Sequence, residues 1–306
     1  MTEFKGLVAV ITGANNGFGK EFVKQAAQRG MKIVAVDIEE DFTELEKVAM
    51  ECGAEEFSAI QADVGLYEET EKVVKYVMDK YGRIDLFINN AGIAQFGDIL
   101  TMPVRDWLWH SDTNYHAHIY FMRQVIPIMI EQGTPCQILN VCSVAGLLTT
   151  RGMPAYYASK HAAVALSECM AYELEEKGVT NINISIFCPG FIQTTLDKSE
   201  TRRPARYQAP DDPFYQSEAF KRSLAICKDV IETGKPIDGV GDHVFKAMEN
   251  GDFYILYHPE HNPVILAQTQ DVVTNGKPSL AGLREKVMKI AQEMGIKAAS
   301  GTGNVK

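Results

Sequence analysis

The apolar positions of this chain fall into two alternating rhythms. Leu7-Val-Ala-Val-Ile-Thr12 is a near-continuous apolar run, the mark of a strand covered on both faces, and Lys32-Ile-Val-Ala-Val-Asp37 is a second one. Between them Phe18, Phe22, Val23, Ala26 and Ala27 recur at helical spacing and end at Gly30, so the opening reads as a β-α-β unit. The pattern then predicts a helix over 44–50, a strand over 56–63, a helix from about 68 to 81 and a strand over 84–89. A long helix over 104–132, a strand over 137–142, a helix from near Pro154 to near Gly178 and a strand over 181–188 follow. Alternation of this kind predicts an α/β fold. The expected form is a doubly wound, Rossmann-like parallel sheet of about seven strands in the order 3-2-1-4-5-6-7, with right-handed crossovers.

After Pro189-Gly190 the rhythm breaks. Residues 195–238 carry Pro204, Pro210 and Pro213 among Tyr207, Phe214, Tyr215 and Phe220, and read as a substrate-binding lid at the carboxyl edge of the sheet. A helix over 241–250 and a last strand, Phe253-Tyr-Ile-Leu-Tyr257, precede a stripe of Leu280, Leu283, Val287, Ile290 and Met294 suited to packing or subunit contact. The final Ser-Gly-Thr-Gly-Asn-Val-Lys is expected to be disordered. No repeat or linker divides the chain, so one domain over 1–306 is expected, with the lid at 195–238 and a C-terminal extension at 259–306.

Composition narrows the partners. The 306 residues are 46% hydrophobic and 23% charged, as in an ordinary globular chain. A formal charge of −10 argues against nucleic acid or an anionic membrane as the main partner. The start, Met-Thr-Glu-Phe-Lys-Gly-Leu, lacks a signal-peptide pattern, and no apolar run is long enough to span a bilayer. Six cysteines form no C-x-x-C pair, as expected of a cytoplasmic chain with reduced thiols. The groupings His110, His116, His118 and His258, His261 are read as solvated or substrate-lining side chains rather than metal ligands.

The chemistry sits in the turns. Gly13-Ala-Asn15-Asn16-Gly17-Phe18-Gly19 lies between a predicted strand and helix, where missing side chains let the backbone approach a pyrophosphate and a helix N-terminus offers free N–H groups. Asp37, followed by Ile38, ends the second strand near the spacing at which an acid meets the ribose 2′-hydroxyl. A carboxylate there repels a 2′-phosphate, and neither Asn15 nor Asn16 supplies a cation, so NAD is expected over NADP. Asp63-Val64 and Asn89-Asn90-Ala91-Gly92 close the third and fourth strands on the edge where open α/β sheets bind ligands.

Residues 136–160 carry the proton chemistry. Ser143 follows a buried strand, and Tyr156 and Lys160 lie at i and i+4 on one face of the next helix. An ammonium beside a phenol is expected to lower a pKa that is ordinarily about 10. Tyr76 and Lys80 repeat this spacing on an ordinary amphipathic helix, with Asp63 where the serine would stand, so the pair is informative only with its surroundings. No G-x-S-x-G elbow surrounds Ser143, which disfavours a serine hydrolase.

Taken together, the chain resembles the short-chain dehydrogenase/reductase family over about residues 5 to 195. The matches are Thr12-Gly-x-x-x-Gly-x-Gly19, Asp63, Asn89-Asn-Ala-Gly92, Asn114, Ser143, Tyr156-x-x-x-Lys160 and Pro189-Gly-x-x-x-Thr194, with serine 13 residues before tyrosine. The family often has glycine three residues after the asparagine, whereas this chain has Asn114-Tyr-His-Ala. The resemblance implies that Tyr156 is the acid/base, that Lys160 holds the nicotinamide ribose and that Ser143 orients the substrate oxygen. It further implies that Asn114 sits in a helix irregularity anchoring a relay water, and that Thr194 and the backbone near Ile192 hold the carboxamide end of NAD. A homotetramer or homodimer through the two long helices is implied as well. The long tail and Arg203-Pro-Ala-Arg-Tyr207 look like a subgroup acting on bulky secondary alcohols, among them lignin-derived aryl ethers and hydroxysteroids. An aromatic lid suits such a substrate better than a sugar or polyol. Arg202, Arg203 and Arg206 could meet a substrate carboxylate, but solvated lid charges are the expected reading.

Overall fold

A computed structural model describes residues 3–296, and the final seven residues, expected to be disordered, lie outside the described residues. The two apolar runs that open the chain become β1 (Val8–Thr12), buried at every position, and β2 (Lys32–Asp37). With β3 (Glu56–Gln61), β4 (Leu86–Asn89), β5 (Cys136–Val141), β6 (Ile182–Cys188) and β7 (Tyr254–Leu256) they form a parallel sheet in the expected order 3-2-1-4-5-6-7. β3 stands at an edge, which is why its burial is mixed where that of β1 is complete.

The helices are α1 (Gly17–Gln28), α2 (Thr43–Cys52), α3 (Tyr67–Tyr81), α4 (Val104–Ser111), α5 (Ala117–Gln132), α6 (Pro154–Glu176), α7 (Pro213–Gln216), α8 (Glu218–Glu232), α9 (Val240–Asn250), α10 (Asn262–Val273) and α11 (Leu280–Glu293). One face of the sheet packs Phe22 of α1, Leu45 of α2 and Phe245 of α9 against Ile11, Ile33 and Phe187. The other packs Val77 of α3, Phe121 and Met129 of α5 and Leu174 of α6 against Val10, Phe87 and Ile138. A buried polar chain fixes α6 to the sheet. Asn89 donates to Asn140 at 2.8 Å, Asn140 donates to Ser167 at 2.8 Å, and Ser167 donates to the Ala163 carbonyl at 2.8 Å. Among the described residues no helix is long and apolar enough to cross a membrane.

Several sequence expectations change. The long helix over 104–132 is α4 and α5 joined by a π turn at Asp112–His116, and this wide turn aims the Asn114 amide at the Ile93 backbone. The proline-marked stretch 195–238 contains the regular helix α8, whose start is capped by Ser217 accepting from Phe220 N at 3.1 Å. Finally, the lid's aromatics hold the lid rather than line a site. Phe214, Tyr215 and Phe220 pack on one another with centroids 5.2–5.4 Å apart, while Tyr207 stacks on Trp109.

Nor are the lid arginines simply solvated. Arg203 is 9% exposed and donates at 2.6 Å to Asp106, which is fully buried. Behind the lid, α10 and α11 pack together over the loop that follows β5. From the predicted stripe Val287 is buried, and Leu283 and Ile290 lie against the cluster of Val144, Leu148, Val264 and Ala267.

Candidate active site

The carboxyl ends of β1, β4, β5 and β6 open into a cavity of about 710 Å³. Its floor is built from glycine turns. Gly13 has φ +60°, and a Cβ on it would stand 2.8 Å from Ala91 Cα; a Cβ on Gly19 would stand 1.9 Å from the Gly13 carbonyl oxygen. Only glycine allows the backbone to fold this tightly. The Thr12 hydroxyl accepts from Asn90 N at 2.9 Å and Ala91 N at 3.0 Å, and the Asn90 side chain donates to Thr12 O at 2.8 Å and Gly13 O at 3.0 Å. The turns after β1 and β4 are therefore one unit.

Asp37, Ile38, Asp63, Val64, Asn90, Ala91 and Gly92 line this end of the cavity with Gly13, Asn16, Gly17 and Phe18. Asn15 and Gly19 stand behind the surface. Asn15 N donates to Asp37 at 2.9 Å, and the Asn16 side chain donates to Glu39 at 2.5 Å. Burial pushes the Asp37 carboxyl above its ordinary pKa, against the backbone N–H groups of Asn15 and Glu39 that lower it.

At the other end stand Ser143, Tyr156 and Lys160. The Ser143 hydroxyl donates to Pro189 O at 3.3 Å, and its oxygen accepts from Ala145 N at 3.1 Å. Lys160 donates to the Val141 carbonyl at 2.9 Å, with its ammonium 5.8 Å from the Tyr156 ring centroid. Asn114 lies beyond Gly92. Its amide exchanges hydrogen bonds with the Ile93 backbone at 2.8 and 3.0 Å and donates to Ser159 at 3.1 Å. A Cβ on Gly92 would sit 3.3 Å from Asn114 Oδ1 and 3.6 Å from Lys160 Nζ, so the glycine keeps this junction open.

The expectation that Lys160 lowers the phenol's pKa is reversed in the structure. Burial pushes Tyr156 up to about 12, against a hydrogen bond from Ser143 that lowers it, and burial also pulls Lys160 down. Desolvation is the dominant cause, and the Lys160 ammonium is spent on the Val141 carbonyl.

Pro189, Gly190, Ile192 and Thr194 follow β6 along the cavity. Here the structure corrects the reading of His258 as solvated. His258, 3% exposed, accepts from Gly190 N at 2.9 Å through Nδ1 and so pins this turn to the chain leaving β7. The cavity's apolar roof is new, being made of Ile226, Cys227, Val230 and Ile231 of α8 with Leu148, Met153 and Val264. The signal for α8 was present as Ser217 followed by Phe220, Cys227 and Ile231 at helical spacing.

Buried histidines make a pH prediction. Burial pulls His258 and His110 down to about 4 and His118 to about 3. Each binds a proton more readily unfolded than folded, so stability is complete above the unfolded pKa of about 6.5 and falls as pH drops through the folded value. Urea melts between pH 7 and 4 should show stability falling with acid, by up to about 1.4 kcal/mol per pH unit for each histidine that titrates. A flat profile over that range would exclude neutral burial.

With this geometry in place, relatives can be compared. The sequence pattern of the short chain dehydrogenases matches residues 7–205. This chain belongs to the short-chain dehydrogenase/reductase family. It is 47% identical over 281 residues to a protein named CLA biosynthesis dehydrogenase/reductase from Lactiplantibacillus plantarum, covering 92% of this chain and 98% of that one. A 3-oxoacyl-[acyl-carrier-protein] reductase from Synechocystis is 33% identical over 221 residues, covering 69% of this chain and 87% of its own. Among solved structures, a short chain dehydrogenase/reductase from Burkholderia phymatum in complex with NAD superposes with a TM-score of 0.86 at 30% identity, covering 91% of this chain and 98% of that one. The chain is thus an oxidoreductase of a family that uses a nicotinamide cofactor on small molecules, and all seven strands lie within that fold.

Proposed function

We propose that this protein is an NAD-dependent oxidoreductase interconverting a bulky secondary alcohol and its ketone. The observation that carries the reading is the convergence of Ser143, Tyr156 and Lys160 at one end of a cavity whose other end carries Asp37 and the glycine turn. The site fits a dinucleotide. Gly13 and Gly17 line the cavity without side chains, so a pyrophosphate would meet bare backbone there, and Asp37 stands where a ribose diol would be met. Asp63, Val64, Asn90 and Ala91 would flank the adenosine half, while Lys160, Pro189, Gly190, Ile192 and Thr194 would hold the nicotinamide half. The bound nicotinamide supplies or accepts the hydride.

The chain itself supplies the rest. Ser143 orients the substrate oxygen by a hydrogen bond, and Tyr156 gives or takes the hydroxyl proton. Lys160 fixes the ribose and, once the pocket is occupied, favours the phenolate. Asn114, at the π turn behind Gly92, continues the proton path toward solvent. Asp37 and Glu39 place two carboxylates at the ribose edge, which supports NAD over NADP. The apolar roof from α8 supports a large apolar substrate over a sugar or polyol. Hydroxysteroids and aryl alcohols are the substrate classes of this proposal, and hydroxy fatty acids, as long apolar alcohols, fit the same roof. The proposal also treats 1–306 as one cytoplasmic domain in a homotetramer or homodimer.

The test is a screen for reduction of NAD⁺ and, separately, NADP⁺ across hydroxysteroids, aryl alcohols, hydroxy fatty acids and polyols. We expect turnover of at least one bulky class, none of polyols, and kcat/KM about tenfold or more in favour of NAD⁺. Preference for NADP⁺ would sink the cofactor assignment, and turnover confined to polyols would sink the substrate class.

A further inference from the structure

Three lid arginines lie within five residues of one another, and the structure sends each to a different acid. Arg203 is buried against Asp106 and Glu200. Arg202 turns toward the nucleotide turn, where its Nε stands 3.8 Å from Glu39. Arg206 grips the Asp63 carboxylate with both terminal nitrogens, Nη2 at 3.3 Å from Oδ1.

The Arg206 contact is built from both sides. Its guanidinium lies 4.5 Å over the Tyr207 ring, and the Tyr207 hydroxyl donates to Asp112. From the opposite wall, a Cβ on Gly65 would come within 2.6 Å of Arg206 Nη2, so glycine at 65 leaves the room the guanidinium occupies. Asp63 and Arg202 both line the cavity.

We propose that Arg206, assisted by Arg202, is a cofactor-positioning residue: it closes the lid over the adenosine half of the dinucleotide by sharing the Asp63 carboxylate with the adenine amine. The proposal rests on the NAD-binding reading above and goes beyond it. A carboxylate offers about four lone-pair sites. Asp63 spends one on Gly65 N at 3.0 Å and others on Arg206, which leaves capacity for an amine donor. Guanidinium planes also stack on aromatic faces, and a purine beside Asp63 would present one. Asp37, Glu39 and Asp63 otherwise gather negative charge where a dianionic pyrophosphate must approach. Arg202 and Arg206, carried there by the lid, offset that charge. Being partly exposed, the Arg206 pair adds little to folding stability, so its loss should be read in binding rather than in the melt.

The test is fluorescence titration of NADH, with ADP-ribose and nicotinamide mononucleotide as competitors, on the full chain and its variants. Arg206→Gln should weaken NADH and ADP-ribose equally, by roughly five- to twentyfold, and leave nicotinamide mononucleotide unchanged. Gly65→Ala, which displaces the guanidinium while keeping its charge, should do the same. Combining Arg206→Gln with Asp63→Asn should cost less than the product of the two single effects. In turnover, KM for NAD⁺ should rise more than kcat falls. NADH binding unaltered in both Arg206→Gln and Gly65→Ala, or an equal loss for nicotinamide mononucleotide, overturns the latch while leaving the cofactor reading intact. A wild-type chain that binds neither NADH nor ADP-ribose overturns both.

Discussion

Replacing Tyr156 with Phe is expected to lower kcat by about 10²–10⁴-fold while NADH still binds nearly as in the parent. The substitution removes one oxygen from a half-buried ring and leaves Lys160 on the Val141 carbonyl, so the cofactor's ribose contact survives. What it removes is the group that trades a proton with the substrate oxygen. The remaining rate reflects Ser143, which can still orient that oxygen but does not replace the lost acid/base group. The parent's pH dependence should carry the same signature. Alcohol oxidation, which needs the phenolate, should climb with pH as the phenol titrates. Carbonyl reduction, which needs the protonated phenol, should not climb. A Phe variant turning over within about tenfold of the parent would remove Tyr156 from the chemistry, because positioned acid–base groups contribute at least ~10²-fold.

That prediction draws on a part of the chain the sequence makes legible. Buried strands announce themselves as Val/Ile runs because both faces are covered, and the seven-strand order follows from strict alternation with helices. Gly13 and Gly19 are legible for a related reason: backbone packed at 1.9–2.8 Å from a would-be Cβ admits no other residue. The lid is harder to read. Three prolines in Pro204–Pro213 mask the helix behind them, though Ser217 marks its start. Tyr207, Phe214 and Tyr215 look like a substrate wall in sequence, but an aromatic ring binds a neighbouring ring as readily as a ligand, and here Trp109 and Phe220 claim them. The direction of the Tyr156 shift was also beyond the sequence. Spacing places the ammonium on the same helix face but says nothing of the Val141 carbonyl that holds it, or of how completely the ring is desolvated.

Arg203→Met is expected to cost about 3–5 kcal/mol of folding stability, the usual consequence of leaving one member of a buried ion pair behind. Asp106 is fully buried on α4 and is held by Arg203 at 2.6 Å and by the Tyr215 hydroxyl at 2.7 Å. The guanidinium also lies 4.3 Å from the centroid of Trp109 and 5.0 Å from that of Tyr215. Burial alone would pull its pKa down, but Glu200 and Asp106 raise it overall, so the charge is secured from both sides. Methionine keeps much of the apolar stem while removing the charge, so most of the loss should come from the stranded carboxylate rather than from a cavity. Adding Asp106→Asn tests this directly: it neutralises the stranded group, keeps an acceptor for Tyr215, and should recover a good part of the stability in urea melts. Because Ser199 accepts from Ala94 N at 3.2 Å and Glu200 accepts from Gln95 at 2.6 Å on the same strap, the single variant should also raise KM for the alcohol as the lid loses its anchor. A loss below about 1 kcal/mol, the scale of an exposed pair, would mean that water reaches Asp106 and that the lid is held by its aromatic contacts instead.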